Sequence, residues 1–183
     1  NKYLVKNELD LEEVVLITEY LSKLEIEFLT YDENDLYASK VDGKLAAKEN
    51  QLTGLSYNQY VEGRPSPKIL GWVEPEEMAS VIKQMRIDFP QFTITQSTPY
   101  FLEVTKLGVD KASGLNEMCN ILDIDLEHSY SFGDGGNDLT MLELCPNAVT
   151  VENASDELKE VCIHVADVAE NDGVSKFIIN KLS

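Results

Sequence analysis

One short acidic, glycine-rich segment carries the residue types best suited to chemistry in this sequence. Residues 129–142 read Ser-Tyr-Ser-Phe-Gly-Asp-Gly-Gly-Asn-Asp-Leu-Thr-Met-Leu, which is an apolar run, a loop, and the restart of a helical pattern. Asp134 and Asp138 place two carboxylates on one turn, and Asn137 adds an amide beside them. Oxygen ligands of this kind suit Mg²⁺, whereas zinc prefers nitrogen and sulfur. The segment therefore predicts a strand, a metal-binding loop and a helix.

The position of Asp134 strengthens this interpretation, because the residue follows directly on the predicted strand. In open parallel α/β sheets, ligands bind just beyond the carboxyl ends of the strands. The alternative is a plain connecting turn, since Gly, Asp and Asn dominate turns for conformational reasons alone. The loop by itself leaves both interpretations open.

The first part of the chain has the patterns of a sheet covered by helices. Asp10 and Glu13 have the spacing of a capping box, Pro75 suits the first turn of a second helix, and the polar residues 32–35 predict a hairpin turn. Further strands are expected at 68–73, 92–95 and 100–104. Residues 1–100 therefore predict an α+β sheet with helices over one face.

The remainder alternates helix and strand. Asp110 is the predicted cap of a helix from Lys111 to about Leu122. The elements expected after it are strands at 129–132, 148–151 and 163–165, and helices at 139–144, after Ser155 and from about Val174. This alternation is typical of a parallel sheet with helices on both faces. The domain boundary is expected within 98–108, where polar residues and a proline interrupt the pattern.

Composition limits the classes of partner. The formal net charge of −18 disfavours nucleic-acid binding, because an acidic surface repels phosphate backbones. No apolar run is long enough to cross a bilayer and no signal peptide is evident, so a cytoplasmic protein without a membrane partner is expected. Cys119, Cys145 and Cys162 are predicted to be buried thiols, and His128 and His164 to be structural.

Four ordered segments carry a resemblance to a known family. The Gly-Asp-Gly-Gly-Asn-Asp run at 133–138 resembles the fourth motif, GDxxND, of the haloacid dehalogenase superfamily in its Cof-type sugar-phosphatase branch. Residues 104–115 resemble the lysine-containing third motif of that branch. Residues 149–154 resemble its Asn-Ala strand and loop, and residues 171–174 resemble its Asp-Gly-Val turn. The order of the four matches makes the resemblance more specific than any one of them.

The resemblance implies an α/β fold made of a partial Rossmann-like parallel-sheet core and an α+β cap domain. Residues 1–100 would be the cap and 101–183 the C-terminal half of the core. The implied activity is that of a Mg²⁺-dependent phosphatase, which removes phosphate from a sugar phosphate or a similar small phosphoester through an aspartyl-phosphate intermediate.

The resemblance also implies roles for particular residues. Lys111 would bind the substrate phosphate and pair with the nucleophilic aspartate; as an ordinary solvated lysine it would be mildly disfavoured in a first helical turn. Asp134 would ligate Mg²⁺ directly, and Asp138 would do so through water or orient the ligands. Asn137 would donate a hydrogen bond to the phosphate. These four residues are the main predicted site.

Two further residues match the family motifs less decisively. Asn153 equally suits a turn residue before the cap at Ser155, and Asp172 equally suits its own Asp-Gly turn. Both therefore have a local explanation that needs no ligand.

One departure from the family is large. No Asp-x-Asp-Gly-Thr segment, which supplies the family's nucleophile, occurs in the 183 residues, and the second motif has no placeable counterpart. The expectation is a fragment that is inactive alone and that either forms a homo-oligomer or pairs with an N-terminal fragment completing the core. The alternatives are a non-catalytic binding or regulatory module and a phosphomutase relative.

Overall fold

The computed structural model describes residues 7–32 and 35–182. The chain divides into two compact units, Asn1–Val109 and Asp110–Ser183, here called the first and second units. No helix within the described residues is long and apolar enough to span a membrane.

The first unit contains three helices and six strands within its described part. They are α1 (Leu11–Lys23), β1 (Phe28–Tyr31), β2 (Leu36–Ala38), α2 (Lys44–Thr53), β3 (Asn58–Gln59), β4 (Ile69–Trp72), α3 (Pro75–Asp88), β5 (Phe92–Gln96) and β6 (Phe101–Lys106). The sheet order is β3-β2-β1-β4-β6-β5, with β2 and β3 parallel and the other neighbours antiparallel. The capping box of Asp10 and Glu13 is confirmed, as is proline at the start of α3.

Helices cover both faces of this sheet, so the expectation of helices over one face is wrong. Apolar side chains of α1 and α3 pack on the face that carries Phe28 and Ile69. Leu45 of α2 packs instead with Leu29 and Leu70, which belong to the opposite face because side chains alternate along a strand. The α2 segment is mostly polar, and its short apolar stripe gave no signal of which face it covers.

Strand β6 belongs to the first unit. The predicted domains, 1–100 and 101–183, placed this strand in the second domain. It pairs with β4 on one side and β5 on the other. Its alternating residues Phe101, Leu102 and Val104 are buried within that sheet. The boundary lies after Val109, so the first unit extends past both the predicted division and the expected 98–108 interval.

The second unit is a three-stranded parallel sheet with helices on both faces. Its elements are α4 (Lys111–Leu122), β7 (Tyr130–Phe132), α5 (Leu139–Leu144), β8 (Asn147–Val151), α6 (Asp156–Val161), β9 (His164–Ala166) and α7 (Gly173–Leu182), and the strand order is β7-β8-β9. Phe177 of α7 contacts Tyr130 and Phe132. Leu142 of α5 packs on Ala148, on the opposite face. The predicted parallel sheet is confirmed.

Candidate active site

The loop after β7 is held against the neighbouring strand. The Gly133 amide donates to the Val149 carbonyl at 3.1 Å, and the buried Thr150 hydroxyl donates to the Gly133 carbonyl at 2.9 Å. A Cβ at Gly133 would lie 2.5 Å from the Cβ of Asp138. Glycine is therefore required here for close approach, because any larger residue would displace Asp138 from its position against the strand end.

Asp138 is the most enclosed charged group of the site, with a side chain only 5% exposed. One carboxylate oxygen, Oδ2, accepts from the backbone amides of Asp134 and Gly135, each at 3.0 Å. The other, Oδ1, accepts from Nζ of Lys111. Burial alone would raise the pKa of Asp138, but the hydrogen bonds from Lys111 and from the two amides outweigh burial and lower that pKa. Asp138 is thus an ionised carboxylate with both oxygens engaged.

Lys111 is positioned by the first turn of α4. The Asp110 side chain accepts from the Ser113 amide at 2.8 Å, and the Ser113 hydroxyl accepts from the Asp110 amide at 3.0 Å, which closes a capping box. The Lys111 side chain is 48% exposed although it is paired with Asp138. Its ammonium group can therefore meet a second anion from solvent without leaving Asp138.

Asp134 and Asn137 complete the loop beside this ion pair. The Asp134 side chain is exposed, and among the described residues its carboxylate has no hydrogen-bonding or ionic partner. Asn137 is half-buried in the 3-10 turn Gly136–Asp138, with Oδ1 2.9 Å from the point where a Gly135 Cβ would lie. The loop thus offers one free carboxylate and one amide next to a lysine.

The donor set suits a hard cation. Asp134 could ligate Mg²⁺ directly, while Asp138 could orient the loop from behind, since both of its oxygens already accept hydrogen bonds. Within 7–32 and 35–182, no group of three His, Cys, Asp or Glu side chains could hold a metal ion. Mg²⁺ keeps several waters in many protein sites, so a single carboxylate with backbone oxygen is compatible with a partial site.

The two less decisive residues lie on other loops of the same sheet. Asn153 is exposed after the end of β8. Asp172 lies beyond β9, with a left-handed backbone (φ 56°), and its carbonyl accepts from the Lys176 amide at the start of α7. Across the described residues, no hydrogen bond joins either side chain to Lys111 or Asp138. The structure thus gathers four of the six predicted residues.

Sequence reasoning missed two polar residues, Thr150 and Asp167, that support loops at the ends of the strands. Thr150 is fully buried in an otherwise apolar strand, and a lone polar residue in such a strand was the available signal. Asp167 follows β9 and accepts hydrogen bonds from Asn171 and from the Val168 amide, which lower its pKa. A Cβ at Gly173 would lie 1.8 Å from the Asp167 carbonyl oxygen, which explains the glycine after Asp172.

Fold and site together define a class: a parallel α/β unit with a lysine–carboxylate site at the carboxyl ends of its strands, accompanied by a mixed α+β unit. Comparison with known families gives the identification. The chain belongs to the haloacid dehalogenase-like hydrolases, whose family model matches residues 1–178.

Relatives with curated names include phosphatases. A candidate phosphatase of Streptococcus pyogenes serotype M6 is 28% identical over 176 residues, which cover 90% of this chain and 65% of the relative. The 5-amino-6-(5-phospho-D-ribitylamino)uracil phosphatase YcsE of Bacillus subtilis is 33% identical over 98 residues, which cover 54% of this chain and 39% of that protein. The chain thus spans less than two thirds of the length of these relatives.

Solved structures show the same fold. A haloacid dehalogenase-like hydrolase from Bacteroides thetaiotaomicron matches 98% of this chain and 70% of its own length, with a TM-score of 0.86 and 24% identity. A sugar phosphatase of HAD subclass IIB matches 96% of this chain and 68% of its own length, with a TM-score of 0.79 and 23% identity. Both matches span the first and second units.

Proposed function

We propose that the protein containing this chain is a Mg²⁺-dependent phosphatase that acts on a sugar phosphate or a similar small phosphoester. The observation that carries the proposal is the Lys111–Asp138 ion pair beside the free carboxylate of Asp134. Phosphoryl transfer needs positive charge on the phosphate oxygens and a metal that neutralises developing charge, and Lys111 and Asp134 are suited to these two tasks.

Each residue has a defined task in this proposal. Lys111 binds the phosphate oxygens with the solvent-facing part of its ammonium group, and Asp138 holds that group in place. Asn137 donates its amide hydrogen to the phosphate, and Asp134 holds the metal. When bound, Mg²⁺ supplies charge neutralisation and orients the phosphate. The proposed nucleophile is an aspartate that forms an aspartyl-phosphate, and none of the four residues has that role.

The substrate class rests on the named relatives. One is a phosphatase of a phosphorylated ribitylamino compound, and one structural neighbour is a sugar phosphatase. A phosphate on a small polyhydroxylated molecule is therefore the proposed substrate.

A second candidate function is a binding or regulatory module that performs no catalysis. The observation in its favour is that the four residues of the site bind or position ligands and none of them acts as a nucleophile. Such a module would keep phosphate and metal affinity without turnover.

Phosphate release separates the two functions. We expect no release above background from the 183-residue chain with Mg²⁺ and a panel of sugar phosphates, because loss of a covalent nucleophile costs many orders of magnitude in rate. A longer form with an Asp-x-Asp-Gly-Thr segment should turn over, and Lys111→Met or Asp134→Ala should lower its kcat/KM by roughly a hundredfold or more. Glu160→Ala, an exposed change on α6, is the control. An inactive longer form would favour the binding module.

Metal binding is tested separately. We expect the chain to bind Mg²⁺ with a Kd in roughly the millimolar range, since one free carboxylate supplies few of the oxygen ligands that the ion needs. NMR titration should shift the resonances of Asp134 and Asn137, and Asp134→Ala should abolish the shifts. Micromolar binding by calorimetry, or shifts that survive Asp134→Ala, would contradict the assignment of Asp134.

A further inference from the structure

A cavity of about 510 Å³ opens in the first unit between α1 and the strand edge formed by β2 and β3. All of its lining residues belong to Asn1–Val109, so it is separate from the lysine–carboxylate site. The volume lies in the range of small-molecule sites. Besides charged residues, its lining consists of hydroxyl, amide and aromatic side chains, namely the buried Thr18 and Phe28, the partly exposed Ser39 and Tyr60, and the exposed Ser22 and Gln59.

An aromatic pair forms the apolar part of the cavity. The rings of Phe28 and Tyr60 meet edge to face, with centroids 4.9 Å apart and an angle of 84° between their planes. The Tyr60 hydroxyl lies 3.2 Å from that of buried Thr18, which fixes the ring. An apolar surface with a polar edge suits a ligand that has both C–H and O–H groups.

The polar side chains keep a mixture of unused donors and acceptors. The Ser22 hydroxyl donates to the Thr18 carbonyl at 2.7 Å, so its lone pairs are available. Ser39 Oγ accepts from the Phe28 amide at 2.8 Å, so its own hydrogen is available. Gln59 Nε2 donates to the Ser39 carbonyl at 3.0 Å, so Oε1 is available. Among the described residues, these remaining groups have no partner.

The negative charges at the rim disfavour anionic ligands. Glu19 and Glu62 line the cavity, and Lys23 is the one cationic side chain among its described lining residues. A phosphate or carboxylate would be repelled by the two glutamates. An amine would use the acceptors but would leave the Ser39 hydroxyl donor unpaired, whereas each hydroxyl of a sugar both donates and accepts.

From this chemistry we propose that the cavity is a binding site for an uncharged polyhydroxylated molecule, a sugar or polyol. The ligand lays its C–H surface on the partly exposed ring of Tyr60, which the buried Phe28 supports from within, and exchanges hydrogen bonds with Ser22, Ser39 and Gln59. The site does not depend on the proposed phosphatase function, since no residue of the second unit takes part.

Amide NMR on the 183-residue chain tests the site directly. We expect D-glucose or sorbitol to cause saturable shifts at Ser39, Gln59 and Tyr60. Gln59→Ala should weaken binding by roughly two- to twelve-fold, the value of one hydrogen bond. Gln91→Ala removes an exposed glutamine outside the cavity and should leave the affinity unchanged.

Several results would overturn the proposal. One is the absence of saturable shifts with both probes, and another is an affinity that Gln59→Ala does not reduce. Shifts confined to the residues around Lys111 and Asp138 would assign the sugar to the other site. Saturable binding of the diamine putrescine that Glu19→Gln abolishes, with no response to glucose or sorbitol, would make the cavity a cation site instead.

Discussion

Three donors converge on the carboxylate of Asp138: the Lys111 ammonium and the backbone amides of Asp134 and Gly135. Ion pairs contribute little net stability, both at the surface and when compared with apolar packing in the interior, so stability alone does not explain this arrangement. The arrangement fixes one cation and one loop relative to each other. Lys111 is thereby held at the strand ends without losing its contact with solvent.

Replacing Lys111 tests this electrostatic link. Lys111→Met removes the strongest of the interactions that lower the pKa of Asp138, so we expect that pKa to rise. Carboxyl NMR titration measures it, with the exposed Lys181→Met as control. An unchanged Asp138 pKa in Lys111→Met would show that the two backbone amides alone lower it.

The lowered pKa of Asp138 in the folded chain predicts that the stability of the fold depends on pH. The folded-state pKa of Asp138 lies below the unfolded value of about 3.9, so the unfolded chain binds the proton first as the pH falls. The stabilisation is therefore present above about pH 4 and is lost as the pH falls through the folded pKa. Urea unfolding at a series of pH values should show that the free energy of unfolding falls less steeply with falling pH in Lys111→Met than in the parent chain. Equal slopes would contradict a contribution of Lys111 to the lowered pKa of Asp138.

Close packing at Gly133 gives a second prediction at the residue scale. Gly133→Ala should reduce the free energy of unfolding by roughly 1–3 kcal/mol, because its Cβ would collide with that of Asp138 at 2.5 Å. Gly136→Ala is a matched control in the same loop, since a Cβ there meets nothing within 4 Å. Urea unfolding should separate the two variants, and equal stability would show that the loop relaxes freely.

At the scale of elements, local signals predicted the helix starts well. Asp10, Pro75 and Asp110 lie where capping chemistry places them, because a cap depends on residues within one turn. Strand β6 was assigned to the wrong unit, and the sheet face that α2 covers was not predicted, because the partner of a strand and the face under a helix depend on residues distant in sequence. At the site, the resemblance to family motifs predicted Lys111 and Asp138 as site residues. The hydrogen bond between their side chains joins positions 27 residues apart, so neither segment alone could predict it.

The capping box of α4 stabilises the helix and also positions Lys111, the first residue of that helix. Asp110→Ala removes the capping box in front of Lys111 and should lower the free energy of unfolding by roughly 0.5–2 kcal/mol. Asp10→Ala removes the equivalent box from α1 in the first unit and is the matched control. Only Asp110→Ala should also change the NMR resonances of Asp138. If Asp10→Ala changed the Asp138 resonances as much as Asp110→Ala does, a local effect of the α4 cap on the site would be contradicted.

At the scale of the whole molecule, the second unit presents sheet edges. In the described part of the chain, β7 pairs with β8 alone, and β9 forms the other edge. The Ser131 hydroxyl in the middle of β7 is buried yet has no hydrogen-bond partner within residues 7–32 and 35–182. Exposed apolar side chains of this unit include Met118, Ile121, Ile163 and Ile179. An unpaired strand edge favours association with another strand, and exposed apolar surface on the same unit adds to that tendency.

We therefore predict that the chain associates through β7, either with a second copy or with another polypeptide that supplies a strand. Light scattering should show an oligomer or a heteromeric complex, and the amides of Tyr130 to Phe132 should be protected from hydrogen exchange within it. Tyr130→Lys should dissociate the assembly, because a charged lysine on an edge strand opposes pairing. Val165→Lys places a lysine on the other edge strand, β9, and should leave it intact. A monodisperse monomer with protected β7 amides and no second polypeptide by mass spectrometry would contradict this prediction.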